Sequence, residues 1–436
     1  MTWYLSLSLL IGLIMSMMLV RIPIAFAFLL TNLIGVFIFM GGHFGVVQMA
    51  ANMTSALTRY SFVPIPLFLL MGELFFHTGI AKRVFSVVDG LLGNVRGRLA
   101  YVSVAGGTIF ASLSGSSLAN VAMMGSSMYP EMERRNYKPI VSLGPIIATG
   151  GLAAVIPPSG LAVLLGSLAG LNIGQLLLAG FLPGVILALL YAAFVFGWTF
   201  FDRDAAPAYD VEPLSLREKL RLTVTDLLPM LSIILMVVGL IIFGIATPTE
   251  SATFGVVGVV LVAALFRSLT VEAIVKSAIG AMRITAMIFM IILTSTTFSQ
   301  LLAISGATSG LIGWTQSFDA PPVVILMLIG LLLLLMGAFM EPVGIMMVTL
   351  PILFPLVVSV GTDPIWFAVF MLIFIEVGLC TPPIGLALFV MLGVTKNKTL
   401  ADVSVAVAPY LLITVLFLAV TIFFPQIMLA LPSLMQ

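Results

Sequence analysis

Two kinds of short polar stretch interrupt a sequence that is otherwise almost continuous hydrocarbon. The first is Ser112-Leu113-Ser114-Gly115-Ser116-Ser117-Leu118-Ala119-Asn120. A turn at membrane depth frees carbonyl oxygens there, and the Ser and Asn side chains add oxygen ligands without a full charge. That coordination suits Na⁺; the same small residues also suit close helix packing. The second kind is Ile156-Pro157-Pro158-Ser159-Gly160, repeated as Thr381-Pro382-Pro383-Ile384-Gly385. Paired prolines remove two backbone donors and stop a helix from bonding to its preceding turn. Each break leaves carbonyls of one half-helix and amides of the next unpaired. Carbonyls hold cations, and half-helix N-termini favour anionic groups.

Carboxylates are the next candidates. Glu73, Glu250, Glu341 and Glu376 all fall within or near apolar runs, where a charge is costly and a functional role is the default expectation. Glu341 can bind a cation, titrate a proton or pair with a base. Glu250, in Thr247-Pro248-Thr249-Glu250-Ser251, and Glu73 read equally well as helix-end residues. Thr294-Ser295-Thr296-Thr297 with Ser299 sets hydroxyls along one span, either to hydrogen-bond a polar substrate or to bond the carbonyl one turn back. No Arg or Lys is placed at mid-membrane, so an anionic substrate must be neutralised by hydroxyls, amides and bound cations. His43 and His77 lack neighbours at metal-ligand spacing, and the lone Cys380 reads as a buried thiol.

The elements that position these groups follow from composition. Hydrophobic residues make up 61% of the 436-residue chain and charged residues 8%, against roughly 25% charged in a soluble domain. Most of the exterior must therefore face lipid. The net charge of +1 offers nothing to a nucleic acid, and none is expected as a partner. No Walker motif and no cleavable signal peptide are evident, so an ion gradient is the expected energy source.

Ten crossings are predicted, at 3–20, 23–40, 63–76, 139–171, 173–201, 227–243, 251–266, 285–304, 364–394 and 405–431. Residues 99–130 and 322–355 carry small or polar interruptions midway and read as re-entrant hairpins. With an external N-terminus this scheme puts all but one of the 18 basic residues on the cytoplasmic side, leaving only Arg59 outside. Both termini are then periplasmic. The polar stretch 202–226 is a cytoplasmic linker, either a solvated loop or a docking surface.

A shift of 225 positions superposes Pro130 on Pro355, Pro139 on Pro364, Pro157-Pro158 on Pro382-Pro383 and Gly160-Leu161-Ala162 on Gly385-Leu386-Ala387. It also places Glu341 opposite Ser116. Upstream, Val46, Met49, Ala50, Met53 and Leu57 fall on Val271, Ile274, Val275, Ala278 and Met282, two amphipathic segments read as lying along the interface. Arg96, Arg98, Arg134, Arg135 and Lys138 flank the first hairpin, whereas no basic residue flanks the second. The hairpins therefore open to opposite sides. Inverted repeats with broken helices at matching positions point to a secondary-transporter site at the midplane.

The expected fold is an all-α polytopic membrane protein of about ten transmembrane helices and two re-entrant hairpins. Its predicted units are N-terminal helices 1–42, a first repeat 43–201, the linker 202–226, further helices 227–267 and a second repeat 268–436.

Gly115-Ser116-Ser117-Leu118-Ala119-Asn120-Val121-Ala122, the break at 156–160, Ala246-Thr247-Pro248-Thr249-Glu250-Ser251-Ala252, Glu341-Pro342 with Pro351 and Pro355, and the break at 381–385 occur in this order. The chain resembles, over essentially its whole length, the large (DctM-type) membrane subunit of the tripartite ATP-independent periplasmic, or TRAP, transporters. The resemblance implies a bacterial inner-membrane importer of an organic acid, such as a C4-dicarboxylate, sialic acid or a sulfonate. It further implies co-transport of two or more Na⁺ and an elevator movement of a hairpin-bearing transport domain against a scaffold. The implied partners are a small four-helix (DctQ-type) subunit, not fused here because the first span starts near Met1, and a periplasmic (DctP-type) binding protein. One Na⁺ site resembles Ser114, Gly115, Asn120 and Gly150; the other resembles Gly337, Glu341 and Thr381, with Glu341 where many relatives carry Asp. Ser116, Ser117, Pro157, Ser159, Thr294, Thr297, Ser299, Glu341 and Pro382 are the substrate-site candidates. A self-sufficient carboxylate or anion symporter of similar fold is the rival. A membrane enzyme is disfavoured because no Ser/His/Asp or metal constellation appears, and a structural subunit leaves the repeated breaks unexplained.

Overall fold

The structure is a computed structural model that describes residues 1–93, 95–207, 214–395 and 397–435, and of Ala81, Lys82 and Met435 the backbone alone. Lys396, expected on the basic side, and the middle of the linker, 208–213, lie outside the described residues. All regular structure among the described residues is helical, as lipid requires of a chain that closes no barrel.

The first half runs α1 (Trp3–Leu19), α2 (Ile24–Phe39), α3 (His43–Leu57), α4 (Pro64–His77), α5 (Ala81–Leu92), α6 (Arg98–Ser114), α7 (Ser117–Ser127), α8 (Tyr129–Arg134), α9 (Pro139–Gly150), α10 (Gly160–Ala169) and α11 (Ile173–Phe201). After the linker come α12 (Leu216–Leu222), α13 (Leu228–Ile242), α14 (Pro248–Leu265), α15 (Val271–Ile304), α16 (Ala307–Gln316), α17 (Pro322–Gly337), α18 (Pro342–Ser359), α19 (Pro364–Leu379), α20 (Leu386–Val394), α21 (Leu400–Phe423) and α22 (Gln426–Leu429). The two re-entrant hairpins are α6–α7 and α17–α18.

The 225-residue register reaches further than the sequence showed. α1, α2, α5, α6, α7, α9, α10 and α11 begin within three residues of that shift from α13, α14, α16, α17, α18, α19, α20 and α21. The helices at 1–42 and 227–267 are thus repeat elements too. Packing follows the same symmetry: α2 lies on α15 as α14 lies on α4, and α9 lies on α21 as α19 lies on α11.

One pair departs from it. α3 and α4 are separate helices, whereas α15 runs unbroken for 34 residues, about 50 Å at 1.5 Å per residue. Pro64 and Pro66 sit where the second half has Phe289 and Ile291, and a proline cannot continue the hydrogen bonding of the turn before it. The amphipathic faces also differ from expectation. In α15, Val271, Ile274, Val275 and Met282 are exposed while Ala273, Ser277 and Ala281 are buried. In α3, Asn52 is buried and Leu57 exposed. With lipid outside, the apolar stripe faces outward and small or polar residues pack inward.

Seven helices among the described residues have the length and composition to cross a membrane, and six shorter apolar ones accompany them. Six of the ten predicted crossings are among the seven; α9–α10 and α19–α20 are broken, α1 and α2 are only 17 and 16 residues long, and the seventh, α18, is an arm of the second hairpin. Helix ends are closed locally. Thr247 and Glu250 form a capping box on α14, which accounts for Glu250 as a helix-end residue. On the basic side Lys138 Nζ lies 2.7 Å from Asp202 and Arg83 2.7 Å from Asp226, tying both ends of the linker down. The hydrogen bond from Lys138 holds the Asp202 carboxyl below the usual range.

α19 is buried along its whole length from Trp366 to Leu379, as expected of a helix that is apolar all round. It meets α17 where Gly378 faces Gly337. A Cβ on Gly378 would stand 2.5 Å from the Gly337 Cα, so a larger residue must part the helices, at a cost of about 1–3 kcal/mol. Gly378→Val is therefore expected to lower the thermal unfolding midpoint of the purified protein by several degrees. Gly313→Ala, with nothing within 4 Å of the added Cβ, serves as the unchanged control.

Candidate transport site

The first break starts where α9 tightens into a 3₁₀ turn at Gly151–Ala154. Non-helical chain follows to Ser159, the N-cap of α10. The Pro157-Pro158 and Pro382-Pro383 peptide bonds are both cis. Ser159 stitches the break: its hydroxyl donates to Ala154 O at 2.8 Å and accepts from Ala162 N at 3.2 Å. In the second break Thr381 donates to Val377 O at 2.7 Å.

The hairpin tips turn differently. The first passes through Gly115 at φ +58°, a left-handed conformation open to glycine at little cost, and Ser116 then caps α7 by accepting from Ala119 N. The second has Glu341 at the N-cap of α18, yet its side chain makes no capping hydrogen bond. The carboxylate instead lines a cavity.

That cavity, of about 210 Å³, is walled by both tips and both breaks. Gly115, Ser116, Ser117 and Leu118 come from the first tip, and Glu341, Pro342 and Val343 from the second. Gly160 and Leu161 follow the first break; Leu379 and Leu386 bracket the second. The facing wall is apolar: Ile65 and Leu69 of α4 with Ile284, Met287 and Ile288 of α15. Four helix N-termini, those of α7, α10, α18 and α20, therefore meet at one cavity, and no Lys or Arg lines it among the described residues. Amide ends of helices attract anions.

Beside the first tip lie the oxygens expected for a cation. Asn120 is fully buried; its Nδ2 donates to Gly107 O and Thr149 O at 3.0 and 3.2 Å, and its Oδ1 has no hydrogen-bond partner. Gly150 packs against Ser117 O and Val121. Ser114 makes only long hydrogen bonds, 3.5 Å to Ala111 O and 3.4 Å to Ser116 O. At the second tip Gly337 is buried against α19, one turn before Glu341.

Other candidates stand elsewhere. Pro157 and Pro382 shape the breaks and do not line the cavity. Ser159 is buried with its hydroxyl engaged. Thr294 and Thr297 join helices: Asn32 Nδ2 donates to Thr294 O at 2.6 Å, and Asn52 Nδ2 donates to the Thr297 hydroxyl at 3.1 Å. Ser299 lines a second cavity, of about 330 Å³, with Arg59, Ser295 and Thr296. Glu73 lies beside His77 at 3.3 Å and packs on Gly280 of α15.

Sequence reasoning left two features out of the site. The apolar wall from α4 and α15 carries no distinguishing residue type. Glu376 had a signal, a carboxylate in a helix apolar all round, and it lines the cavity with both oxygens buried and unpaired.

Residues 11–427 match the family described as the tripartite ATP-independent periplasmic transporter, DctM component. The chain belongs to this family. It is 31% identical to the C4-dicarboxylate TRAP transporter large permease protein DctM of Rhodobacter capsulatus, over 97% of this chain and 98% of that one. It is also 31% identical to the Pseudomonas aeruginosa protein so named, over 89% and 90%. To the 2,3-diketo-L-gulonate TRAP transporter large permease protein YiaN of Escherichia coli it is 29% identical, over 96% of each. The solved YdaH transporter of Alcanivorax borkumensis shares the fold, with a TM-score of 0.62 and 14% identity over 88% of this chain and 90% of that one. The cavity between hairpins and breaks thus lies in a TRAP large permease, a multi-pass membrane protein and not an enzyme.

In this permease Leu118 faces the cavity from the first turn of α7, half-exposed. Leu118→Trp is expected to fill the space and lower uptake about tenfold or more, a barrier of roughly 1.4 kcal/mol. Its unfolding midpoint should stay within a few degrees of the wild type. Undiminished uptake would remove this cavity from the substrate path.

Proposed function

We propose that the protein imports a small organic acid together with Na⁺, as the large subunit of a TRAP system in a bacterial inner membrane with both termini periplasmic. The observation that carries this reading is the single cavity walled by two hairpin tips, two helix breaks and four helix N-termini. An acidic substrate fits it because amide ends, not basic side chains, supply the positive field. The names of the relatives, which carry C4-dicarboxylate and 2,3-diketo-L-gulonate, agree with an organic acid.

Na⁺ coupling rests on the oxygens at each tip. Ser114, Gly115, Asn120 and Gly150 would hold one ion, and Gly337, Glu341 and Thr381 another. Hard cations take carboxylate, amide, hydroxyl and carbonyl oxygens; Asn120 Oδ1 and the Glu341 carboxylate are of that type and are not used in capping or packing.

An elevator movement is supported by the contrast between the walls. The tips and breaks carry the polar groups, and α4 and α15 offer an apolar surface past which they can slide without breaking hydrogen bonds. The moving unit comprises α6–α7, α9–α10, α17–α18 and α19–α20. The scaffold holds α1, α2, α13 and α14, and the α3 and α15 segments serve as arms. A small four-helix DctQ-type subunit would brace the scaffold, and a DctP-type binding protein would deliver substrate from the periplasm.

Reconstitution into liposomes tests this. Uptake of the cognate acid should require the small subunit, the binding protein and an inward Na⁺ gradient; robust uptake by this chain alone would point to a self-sufficient symporter. Glu341→Ala should raise the Na⁺ concentration for half-maximal uptake about tenfold or more, the cost of a lost charged ligand. A variant with unchanged Na⁺ dependence would take Glu341 out of the ion site.

A further inference from the structure

Glu376 and Gly151 are equivalent positions of the two repeats, separated by the 225-residue shift. They also touch: a Cβ on Gly151 would lie 3.4 Å from the Glu376 Cβ and 3.7 Å from Oε2. Equivalent residues in contact lie next to the pseudo-twofold axis. The carboxylate that grows from the second repeat is thereby delivered to the first break.

Its surroundings are unusual. Glu376 is 3% exposed, and neither oxygen has a hydrogen-bond partner. Ser117, at the start of α7, interacts with it without hydrogen-bond geometry, and the Ser117 hydroxyl is itself buried and unpaired. One turn along the same helix, Asn120 Oδ1 is unpaired as well. Behind Glu376 a small cavity holds Tyr191, Cys380 and Thr414, but Tyr191 and Thr414 bond each other at 2.7 Å. On the cavity side the other ionisable group is Glu341, of the same sign.

An isolated ionised carboxylate in such a place costs several kcal/mol unless a proton or a cation joins it. Three unpaired oxygen-bearing groups around one helix break share the same unmet demand. We propose that Glu376, with Ser117 and Asn120, is the charged ligand of a Na⁺ site at the first hairpin tip. This assignment rests on the Na⁺-coupled reading above and adds to it the missing charge. The polar residues of that tip, Ser114 to Asn120, are all neutral, whereas the second tip has Glu341. Glu376 crosses the axis and gives each tip one carboxylate.

The test uses the complete three-component system in proteoliposomes, with Na⁺ as the probe. Glu376→Gln keeps shape but not charge. It should raise the Na⁺ concentration for half-maximal uptake about tenfold or more, and lower the Na⁺-to-substrate stoichiometry read from reversal potentials. Glu376→Asp should keep the wild-type stoichiometry at weaker Na⁺ affinity. If the Gln variant does not fold, Ser117→Ala carries the test: its Na⁺ saturation should weaken several-fold. A Gln variant with wild-type Na⁺ saturation and stoichiometry, or a Ser117→Ala variant with wild-type saturation, overturns the assignment. Wild-type uptake indifferent to Na⁺ instead overturns the coupled reading on which it rests.

Discussion

Every peptide group at membrane depth must find a partner inside the protein, and this chain breaks two helices there. The breaks are tolerable only because each is closed by the chain around it. Ser159 bonds both sides of the first, Thr381 turns back on α19 at the second, and the Cys380 thiol reaches toward Ile147 O of α9. Burial of α19 from Trp366 to Leu379 shows where this places the breaks. The first break, Ile156 to Gly160, is buried throughout at the centre of the protein, whereas Pro382, Pro383 and Ile384 of the second are exposed. The cavity is the space that the two breaks and the two hairpin tips leave among themselves.

Pseudo-symmetry extends this economy to the whole chain, and its exceptions are local and chemical. Pro64 and Pro66 separate α3 from α4, where Phe289 and Ile291 let α15 run on. Gly151 and Glu376, equivalent in the two halves, meet at the axis as a bare backbone and a carboxylate. Ser116 caps its helix, whereas Glu341 at the equivalent position leaves its helix uncapped and turns to the cavity. Each departure alters what the two halves offer a ligand without disturbing how they pack.

Much of this was legible because prolines, glycines and hydroxyls mark breaks in an apolar background. The hairpins, the broken helices, their register and the position of Glu341 opposite Ser116 all came from that contrast. Facing was harder to read. The apolar sides of α3 and α15 look outward because lipid is as favourable as a core, so hydrophobicity cannot say which face packs. Asn52 decides it for α3 through Thr297 and Gln300, partners more than 240 residues away. The same bond shows what spacing along α15 could not: Thr297 joins two helices, while Ser299 faces a different cavity. Glu250, readable from the sequence as a helix-end residue, completes a capping box. Glu376 was visible as a residue and invisible as a neighbour, since its partners come from the other repeat across the axis.

The organic-acid site proposed above, lined by no basic side chain among the described residues, raises a question of sign. Each helix N-terminus carries roughly half a positive charge, so four contribute about two; four facing C-terminal ends, those of α6, α9, α17 and α19, carry about as much negative charge. Dipoles alone therefore leave the region near neutral, with the positive ends at the cavity. Ionised Glu341 and Glu376 then tip the balance against an incoming acid. On the Na⁺-coupled reading proposed above, bound cations would reverse that, cancelling the carboxylates and leaving the amide ends exposed to the substrate. On this arithmetic the acid gains a favourable site only after the ions have bound. On that reading, ion and substrate would need no direct contact to be coupled, because each would change the field the other meets in a cavity of about 210 Å³.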